Sequence, residues 1–126
     1  MSVVVFDAGA LIAVERNDRE LWATLKLLAR NGDDVLVPST VVAQVWRGTR
    51  SQARLGSALG FCVIVPFDPL ARKVGELCGR TRTTDICDAH VALVAAHGAD
   101  VLYTSDERDL RRLLAACGRS PTVVRC

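Results

Sequence analysis

Short apolar runs alternate along this chain with longer stretches in which apolar residues recur at helical spacing. The apolar runs are rich in β-branched residues, contain no polar alternation, and occupy residues 3–6, 35–37, 62–65, 101–103 and 122–124. Runs of this kind are typical of strands that are buried on both faces of a parallel sheet. The pattern therefore predicts five parallel strands at the centre of the molecule.

The segments between these runs carry apolar residues three and four positions apart, which predicts helices. The predicted helices cover residues 8–15, 20–30, 39–48, 52–59, 69–80, 85–97 and 106–117. Ser39, Thr84 and Ser105 are predicted N-caps, and Gly98 follows a helix where glycine commonly ends one. Because strands and helices alternate, the sequence predicts an α/β fold with helices on both faces of a parallel sheet.

The chain has 126 residues, which is enough for one continuous core and too few for two, so residues 1–126 are expected to form a single domain. The apolar run at residues 3–6 has no basic lead and ends at Asp7, so we expect no signal peptide, no membrane span and a cytoplasmic location. Five scattered cysteines without a CxxC pair indicate reduced, buried thiols.

Arginine accounts for fourteen of the sixteen basic residues, although the net charge is only +2. A charge this small does not by itself indicate nucleic-acid binding. The guanidinium is a planar fork that matches phosphate oxygens, so five arginines are candidate RNA contacts: Arg47, Arg50, Arg54, Arg80 and Arg82. The spacing of the first three predicts that they lie on one side of a helix. The alternative is a genome-wide arginine bias without functional meaning.

Aspartates occupy the junctions at which a predicted strand or loop passes into a helix. Asp7 follows the first strand, Asp106 follows the fourth, and Asp85 and Asp88 open the sixth helix. In an open parallel sheet such junctions meet at one crevice, the usual ligand site of these folds. Grouped carboxylates repel one another, so the pattern predicts a bound cation, and oxygen ligands favour magnesium or manganese. Taken singly, each aspartate could instead be an N-cap or an acidic first-turn residue.

Four stretches, in order, resemble the PIN-domain ribonucleases and most closely their bacterial VapC-type toxins. They are VFDAGALIA at residues 5–13, VPSTVVAQVWRG at 37–48, TDICDAHVA at 84–92 and YTSD at 103–106. The resemblance spans nearly the whole chain. It implies a three-layer PIN-like fold, in which helices flank a central parallel sheet of about five strands. It also implies a metal-dependent endoribonuclease, a hydrolase that serves as the toxin of a toxin-antitoxin system.

The same resemblance implies the residues of the site. Three of the family's four acidic ligands for Mg²⁺ or Mn²⁺ have counterparts here, which are Asp7, Asp88 and Asp106. Three more polar residues fall at accessory positions, which are Asp85, Thr104 and Asp109. The second acidic position holds Gln44, whose side chain can offer an amide oxygen or orient a metal-bound water but carries no charge.

By resemblance, Asp7, Gln44, Asp88 and Asp106 would form the catalytic set for cleavage of RNA phosphodiester bonds. Three arginines would position the RNA backbone, which are Arg47, Arg50 and Arg82. The expected partners are a second copy in a homodimer and a cognate antitoxin, whose peptide would pack on apolar surface near Leu11, Trp22 and Trp46. The alternative place for both tryptophans is the core.

A rival function remains open because Gln44 stands where the family has an acid. The chain would then be a catalytically weak or inactive PIN-like module that binds RNA or a protein partner without cleavage.

Overall fold

A computed structural model describes residues 2–126, which form a five-stranded sheet and seven α-helices. The strands are β1 (Val3–Phe6), β2 (Asp34–Pro38), β3 (Val63–Val65), β4 (Val101–Thr104) and β5 (Thr122–Arg125). The helices are α1 (Ala8–Glu15), α2 (Arg19–Arg30), α3 (Ser39–Val45), α4 (Ala53–Leu59), α5 (Ala71–Thr81), α6 (Ile86–Ala96) and α7 (Glu107–Cys117). Short 3₁₀ turns over Arg50–Gln52 and Asp68–Leu70 precede α4 and α5. The predicted α/β class and five-stranded sheet are confirmed.

The strand order is β3-β2-β1-β4-β5, and every neighbouring pair is parallel. From the central strand β1 the chain first builds one side of the sheet, through β2 and β3, and then returns to build the other. The change of direction therefore lies between β1 and β4, which pair with Phe6 opposite Tyr103. In parallel sheets a crevice opens at this switch point, outside the carboxyl ends of the strands.

The core is densest around β1 and α6. The side chains of Val5 and Phe6 are fully buried, and α6 buries Ala89, Val91 and Ala92 completely. α6 packs against α3, α5, α7 and the centre of the sheet, so it is apolar around most of its circumference. This position fixes the start of α6 beside the carboxyl end of β1. Among residues 2–126, no helix has the length and apolar content needed to cross a membrane.

All three predicted helix caps are wrong, because none of Ser39, Thr84 and Ser105 makes a capping hydrogen bond through its hydroxyl group. Ser39 is the first residue of α3, and its Oγ accepts a hydrogen bond from the Phe67 N–H at 3.0 Å. Thr84 does not cap α6 either. Asp85 does so instead, because its Oδ1 accepts a hydrogen bond from the Asp88 N–H at 2.9 Å.

α3 ends at Val45, three residues earlier than predicted, because Gln52 redirects the chain. The Gln52 side chain is buried; its Oε1 accepts hydrogen bonds from the N–H groups of Arg47 and Gly48, and its Nε2 donates to the Val45 carbonyl. The predicted single helical side is therefore wrong for three arginines, which occupy a loop, a 3₁₀ turn and α4: Arg47, Arg50 and Arg54.

Candidate metal centre

Three carboxylates converge outside the carboxyl ends of β1 and β4. Asp88 lies in the first turn of α6, Asp106 directly precedes α7, and Asp109 lies in the first turn of α7. Each offers one oxygen, and the three oxygens lie within 4.8 Å of one another. The sequence placed Asp88 and Asp106 at one crevice, and Asp109, which the resemblance gave only an accessory position, lies with them in the structure.

Asp7 borders this group from β1 and is held by two hydrogen bonds. Its Oδ1 accepts from the Ala8 N–H at 2.6 Å, and its Oδ2 accepts from the Thr104 hydroxyl at 2.7 Å. Burial raises the pKa of Asp7, and the negative charges of Asp106 and Asp85 raise it further, while the two hydrogen bonds oppose these effects. β1 is therefore followed directly by a buried carboxyl group that lies near other carboxylates.

The Thr104 hydroxyl connects the ends of the two central strands. It is fully buried, donates to Asp7, and accepts a hydrogen bond from the Asp106 N–H at 2.9 Å. This one group therefore fixes both the orientation of the Asp7 side chain and the backbone that carries Asp106. Thr104 thus contacts two of the predicted site residues, Asp7 and Asp106.

The alternative of ordinary helix capping holds for some of the aspartates and not for others. Asp7 caps α1 and Asp85 caps α6 through their side chains. Asp106 stands at the N-cap position of α7, yet its side chain makes no capping hydrogen bond, and Ser105, the predicted cap, does not make one either. The carboxylate of Asp106 is therefore not used to cap its own helix.

Asp88 is a partly buried acid with other carboxylates around it. Burial, followed by the negative charges of Asp85 and Asp7 and by hydrogen bonding with Asp106, raises the pKa of Asp88 to about 8. Within residues 2–126 the only ion pair is that between Arg111 and Glu107, so no basic side chain neutralises the cluster. An oxygen-only donor set with excess negative charge fits a hard divalent cation.

Gly9 allows the start of α1, which follows Asp7, to approach the loop that carries Asp106. A Cβ at this position would lie 2.8 Å from the Ser105 backbone nitrogen and would also overlap the Ser105 side chain. Real Cβ contacts are longer, so only glycine lets the first turn of α1 pack against the loop between β4 and α7. The Asp-Ala-Gly order at residues 7–9 thus has a packing reason.

Residues 4–114 match the sequence model of the family described as PIN domain. The chain belongs to the PIN-domain family. No curated protein matches it. Among solved structures, a chain of "VapBC2 from Rickettsia felis bound to a DNA fragment from their promoter" is similar, with a TM-score of 0.72 and 16% identity, and the match covers 98% of each chain. At this identity the likeness shows a shared fold.

Gln44, at the second acidic position of the motif, and Arg47, a predicted RNA contact, both lie at the end of α3 in this PIN domain. The Gln44 side chain is exposed and makes no hydrogen bond to any other residue of 2–126, while its carbonyl accepts from Arg47 Nη2 at 3.0 Å. The Arg47 guanidinium also donates to the carbonyls of Ala43 and Trp46. It satisfies the last carbonyls of α3, which limits its freedom to bind RNA.

The predicted partner surface of the PIN domain needs correction at one residue. Leu11 is fully buried, so it cannot contact an antitoxin. Trp22 is partly buried, and its Nε1 donates to the Val14 carbonyl at 3.0 Å, which favours the core alternative for this tryptophan. Trp46 is 41% exposed and remains available at the surface.

His90 and Gln52 are structurally important polar residues that the sequence did not single out. His90 is fully buried, its Nδ1 lies 2.8 Å from the Thr40 Oγ1, and its ring packs edge-on against Phe67. Burial lowers the pKa of His90, so it joins α6 to α3 as a neutral residue. Gln52 falls outside the quoted motifs, and His90 lies within the stretch at residues 84–92 without an assigned role, so only the tertiary contacts identify them.

The five cysteines are all free thiols. Four are partly buried and Cys126 is exposed, so the prediction of buried thiols is wrong for Cys126 and holds only in part for the other four. Burial raises the pKa of the Cys62 thiol to about 11, which makes the reactive thiolate scarce at neutral pH.

Proposed function

We propose that this PIN domain is a metal-dependent endoribonuclease of the VapC type, the toxin of a toxin-antitoxin pair. The observation that carries the proposal is the convergence of Asp88, Asp106 and Asp109, whose oxygens lie within 4.8 Å without a basic partner among the described residues. The cluster lies at the switch point of a parallel sheet, in a family whose motif the chain matches over residues 4–114.

Three carboxylates would hold Mg²⁺ or Mn²⁺ directly, which are those of Asp88, Asp106 and Asp109, with Asp7 as the buried fourth acid. A bound divalent cation would supply an activated water and stabilise charge on the phosphate. The Thr104 hydroxyl keeps one Asp7 oxygen oriented, and Asp85 fixes the first turn of α6. We retain Gln44 as a neutral oxygen donor on the α3 side, where it faces no competing hydrogen bond.

Without a cation, the Asp88 carboxyl holds a proton near neutral pH because its pKa is raised to about 8. Cation binding must displace this proton, since a metal ligand has to be deprotonated. The chain therefore provides a set of acidic side chains, and a bound cation would relieve the repulsion between their negative charges.

We further propose that the protein acts in the cytoplasm, as a homodimer, and is silenced by a cognate antitoxin. The likeness to a chain of VapBC2 supports a partner of this kind. The exposed Trp46 offers part of the apolar surface that such a peptide would cover. Arg50 and Arg82 are exposed and remain proposed contacts for the RNA backbone.

The direct test compares Asp88→Asn and Asp106→Asn with Glu76→Gln, which removes one exposed carboxylate from α5. Cleavage of a single-stranded RNA in Mg²⁺ or Mn²⁺ should fall by about 100-fold or more in both aspartate variants, since losing a ligand costs at least as much as losing its supporting group. Calorimetric titration should show weaker Mn²⁺ binding in the same two variants. Wild-type cleavage and Mn²⁺ affinity in Asp88→Asn would contradict the proposal.

The second candidate function is a PIN-like module that binds RNA or a partner and cleaves weakly or not at all. The neutral Gln44 at an acidic position of the motif favours it. The two functions separate at saturating Mn²⁺, where a weak enzyme regains activity and an inactive module binds the RNA without cutting it.

A further inference from the structure

A groove of about 510 Å³ leads away from the candidate metal centre along the start of α7. Six residues line it, which are Ser105, Asp106, Glu107, Arg108, Arg111 and Arg125. Asp106 belongs both to this groove and to the carboxylate group, so the two sites are continuous. We call it the α7 groove.

Two of the arginines in the α7 groove carry uncompensated charge. Arg111 is neutralised by Glu107, with Nη2 and Oε1 2.8 Å apart and a second bond from Nε at 2.9 Å. Arg108 and Arg125 are exposed and form neither an ion pair nor a side-chain hydrogen bond with any other residue of 2–126. Their donors therefore stay available for a ligand from solution.

A helix and a strand fix the backbone positions of Arg108 and Arg125 relative to the candidate metal centre. Arg125 is the last residue of β5 and pairs in register with Thr104, which orients Asp7. Arg108 lies in the first turn of α7, two residues after Asp106. The backbone of neither can move far without breaking a strand pair or a helix turn. The groove thus presents two guanidinium groups from a rigid frame.

We propose that the α7 groove binds the backbone phosphates of single-stranded RNA next to the phosphodiester held at the metal centre. This proposal rests on the proposed nuclease function. An acidic centre repels a polyanion, so flanking cations are needed to bring the RNA backbone to it. Guanidinium groups bind phosphate oxygens through paired hydrogen bonds, and such contacts set the register of the strand. Arg47, by contrast, already binds the carbonyls at the end of α3.

The test measures binding of a fluorescently labelled single-stranded RNA to the full chain by anisotropy, with Ca²⁺ replacing Mg²⁺ to suppress cleavage. The variants are Arg108→Gln, Arg125→Gln and the double variant. Arg72→Gln is the matched control, because this exposed arginine starts α5, after the strand at the other edge of the sheet. Melting temperature and Mn²⁺ affinity are measured in parallel, and neither should change in the single variants.

We expect the double variant to bind RNA about tenfold or more weakly than the wild type, with each single variant between the two. The salt dependence of log Kd should decrease by about 0.7 for each phosphate that the variant no longer neutralises. Arg72→Gln should match the wild type in both readouts. Weaker binding of a poly-glutamate probe by the double variant, with unchanged RNA binding, would assign the groove to an acidic protein partner and overturn the proposal.

The outcomes separate this proposal from the nuclease function on which it rests. If the wild type cleaves RNA and the double variant keeps both its Kd and its salt dependence, the groove assignment is wrong while the nuclease function stands. If the wild type binds RNA through these arginines but never cleaves at saturating Mn²⁺, the groove assignment stands and the chain is a binding module.

Discussion

At the scale of single residues, Thr104 is the side chain on which the geometry of the centre depends most directly. Its hydroxyl satisfies one buried oxygen of Asp7 and, at the same time, the N–H of Asp106. A buried polar group that loses its partner costs about 1–3 kcal/mol. Supporting groups around a metal ligand commonly change metal affinity about 10- to 100-fold when removed.

We therefore predict that Thr104→Val lowers the free energy of unfolding by about 1–3 kcal/mol and weakens Mn²⁺ binding about 10-fold or more. Thr104→Ser keeps the hydroxyl and should retain most of the Mn²⁺ affinity. Denaturant unfolding and calorimetric titration measure the two effects. Thr122→Val, at an exposed position of β5, controls for the change of side chain. Wild-type Mn²⁺ affinity in Thr104→Val would show that the hydroxyl does not position the ligands.

Gln44 and Asp109 are both proposed to give an oxygen ligand to the cation, and variants at the two positions can be compared. Asp109→Asn should weaken Mn²⁺ binding, because its oxygen lies within 4.8 Å of those of Asp88 and Asp106. Gln44→Glu should strengthen binding and reduce the Mg²⁺ needed for half-maximal cleavage, since a charged oxygen binds a hard cation better. Ala43→Glu adds the same charge at the neighbouring exposed position. Equal affinities of wild type and Gln44→Glu would show that Gln44 does not face the cation.

At the scale of elements, the strands and the approximate helix starts were predictable, and the capping side chains were not. Continuous β-branched runs leave few alternatives to a buried parallel strand, and the strand at residues 3–6 was predicted with its observed bounds. The caps failed because a hydroxyl next to a helix can bond elsewhere. Ser39 accepts from Phe67, which is 28 residues away, and no local pattern records that contact.

The contact between α1 and the loop before α7 gives an element-scale prediction. Gly9→Ala places a methyl group against the Ser105 backbone, so the loop must move and carry Asp106 with it. We expect a loss of about 1–3 kcal/mol in unfolding free energy, as for other overpacked sites, together with weaker Mn²⁺ binding. Gly75→Ala is the matched control, since its Cβ would meet nothing within 4 Å in α5.

In Gly75→Ala the free energy of unfolding should increase by about 0.5–1 kcal/mol, and Mn²⁺ affinity should not change. Denaturant unfolding and calorimetry measure both proteins. If Gly9→Ala binds Mn²⁺ as tightly as Gly75→Ala, the close approach of α1 is a packing detail that does not set the position of Asp106.

At the scale of the whole molecule, the candidate site was predictable as far as strand order determines it. Parallel strands bring their carboxyl ends together, so aspartates that follow β1 and β4 had to meet once these strands were neighbours. The loop after α3 and the α7 groove depend instead on distant pairings. Gln52 reaches back to Val45, and Arg125 comes beside Thr104 only through the last strand pair. Local spacing in the sequence carries no signal for either.

The repulsion within the carboxylate cluster also gives a prediction for the whole molecule. The ordinary pKa of an aspartate is 3.8, and the pKa of Asp88 is raised to about 8 in the metal-free folded chain. Below about pH 4 both the folded and the unfolded chain hold this proton. Between about pH 4 and pH 8 only the folded chain holds it, so a rise in pH through this range favours unfolding. Above about pH 8 both states are ionised and the effect of Asp88 is constant.

We therefore predict that, in a chelating buffer, Asp88→Asn gains melting temperature relative to the wild type as pH rises from about 4 to about 8. Glu76→Gln, which removes an exposed carboxylate, controls for the change of net charge. With Mn²⁺ present, the wild type should be stabilised more at higher pH, because binding displaces about one proton and its apparent affinity rises up to tenfold per pH unit. Calorimetry in two buffers of different ionisation enthalpy counts that proton. A melting-temperature difference that is independent of pH, together with no proton release on Mn²⁺ binding, would mean that the carboxylates do not share one site.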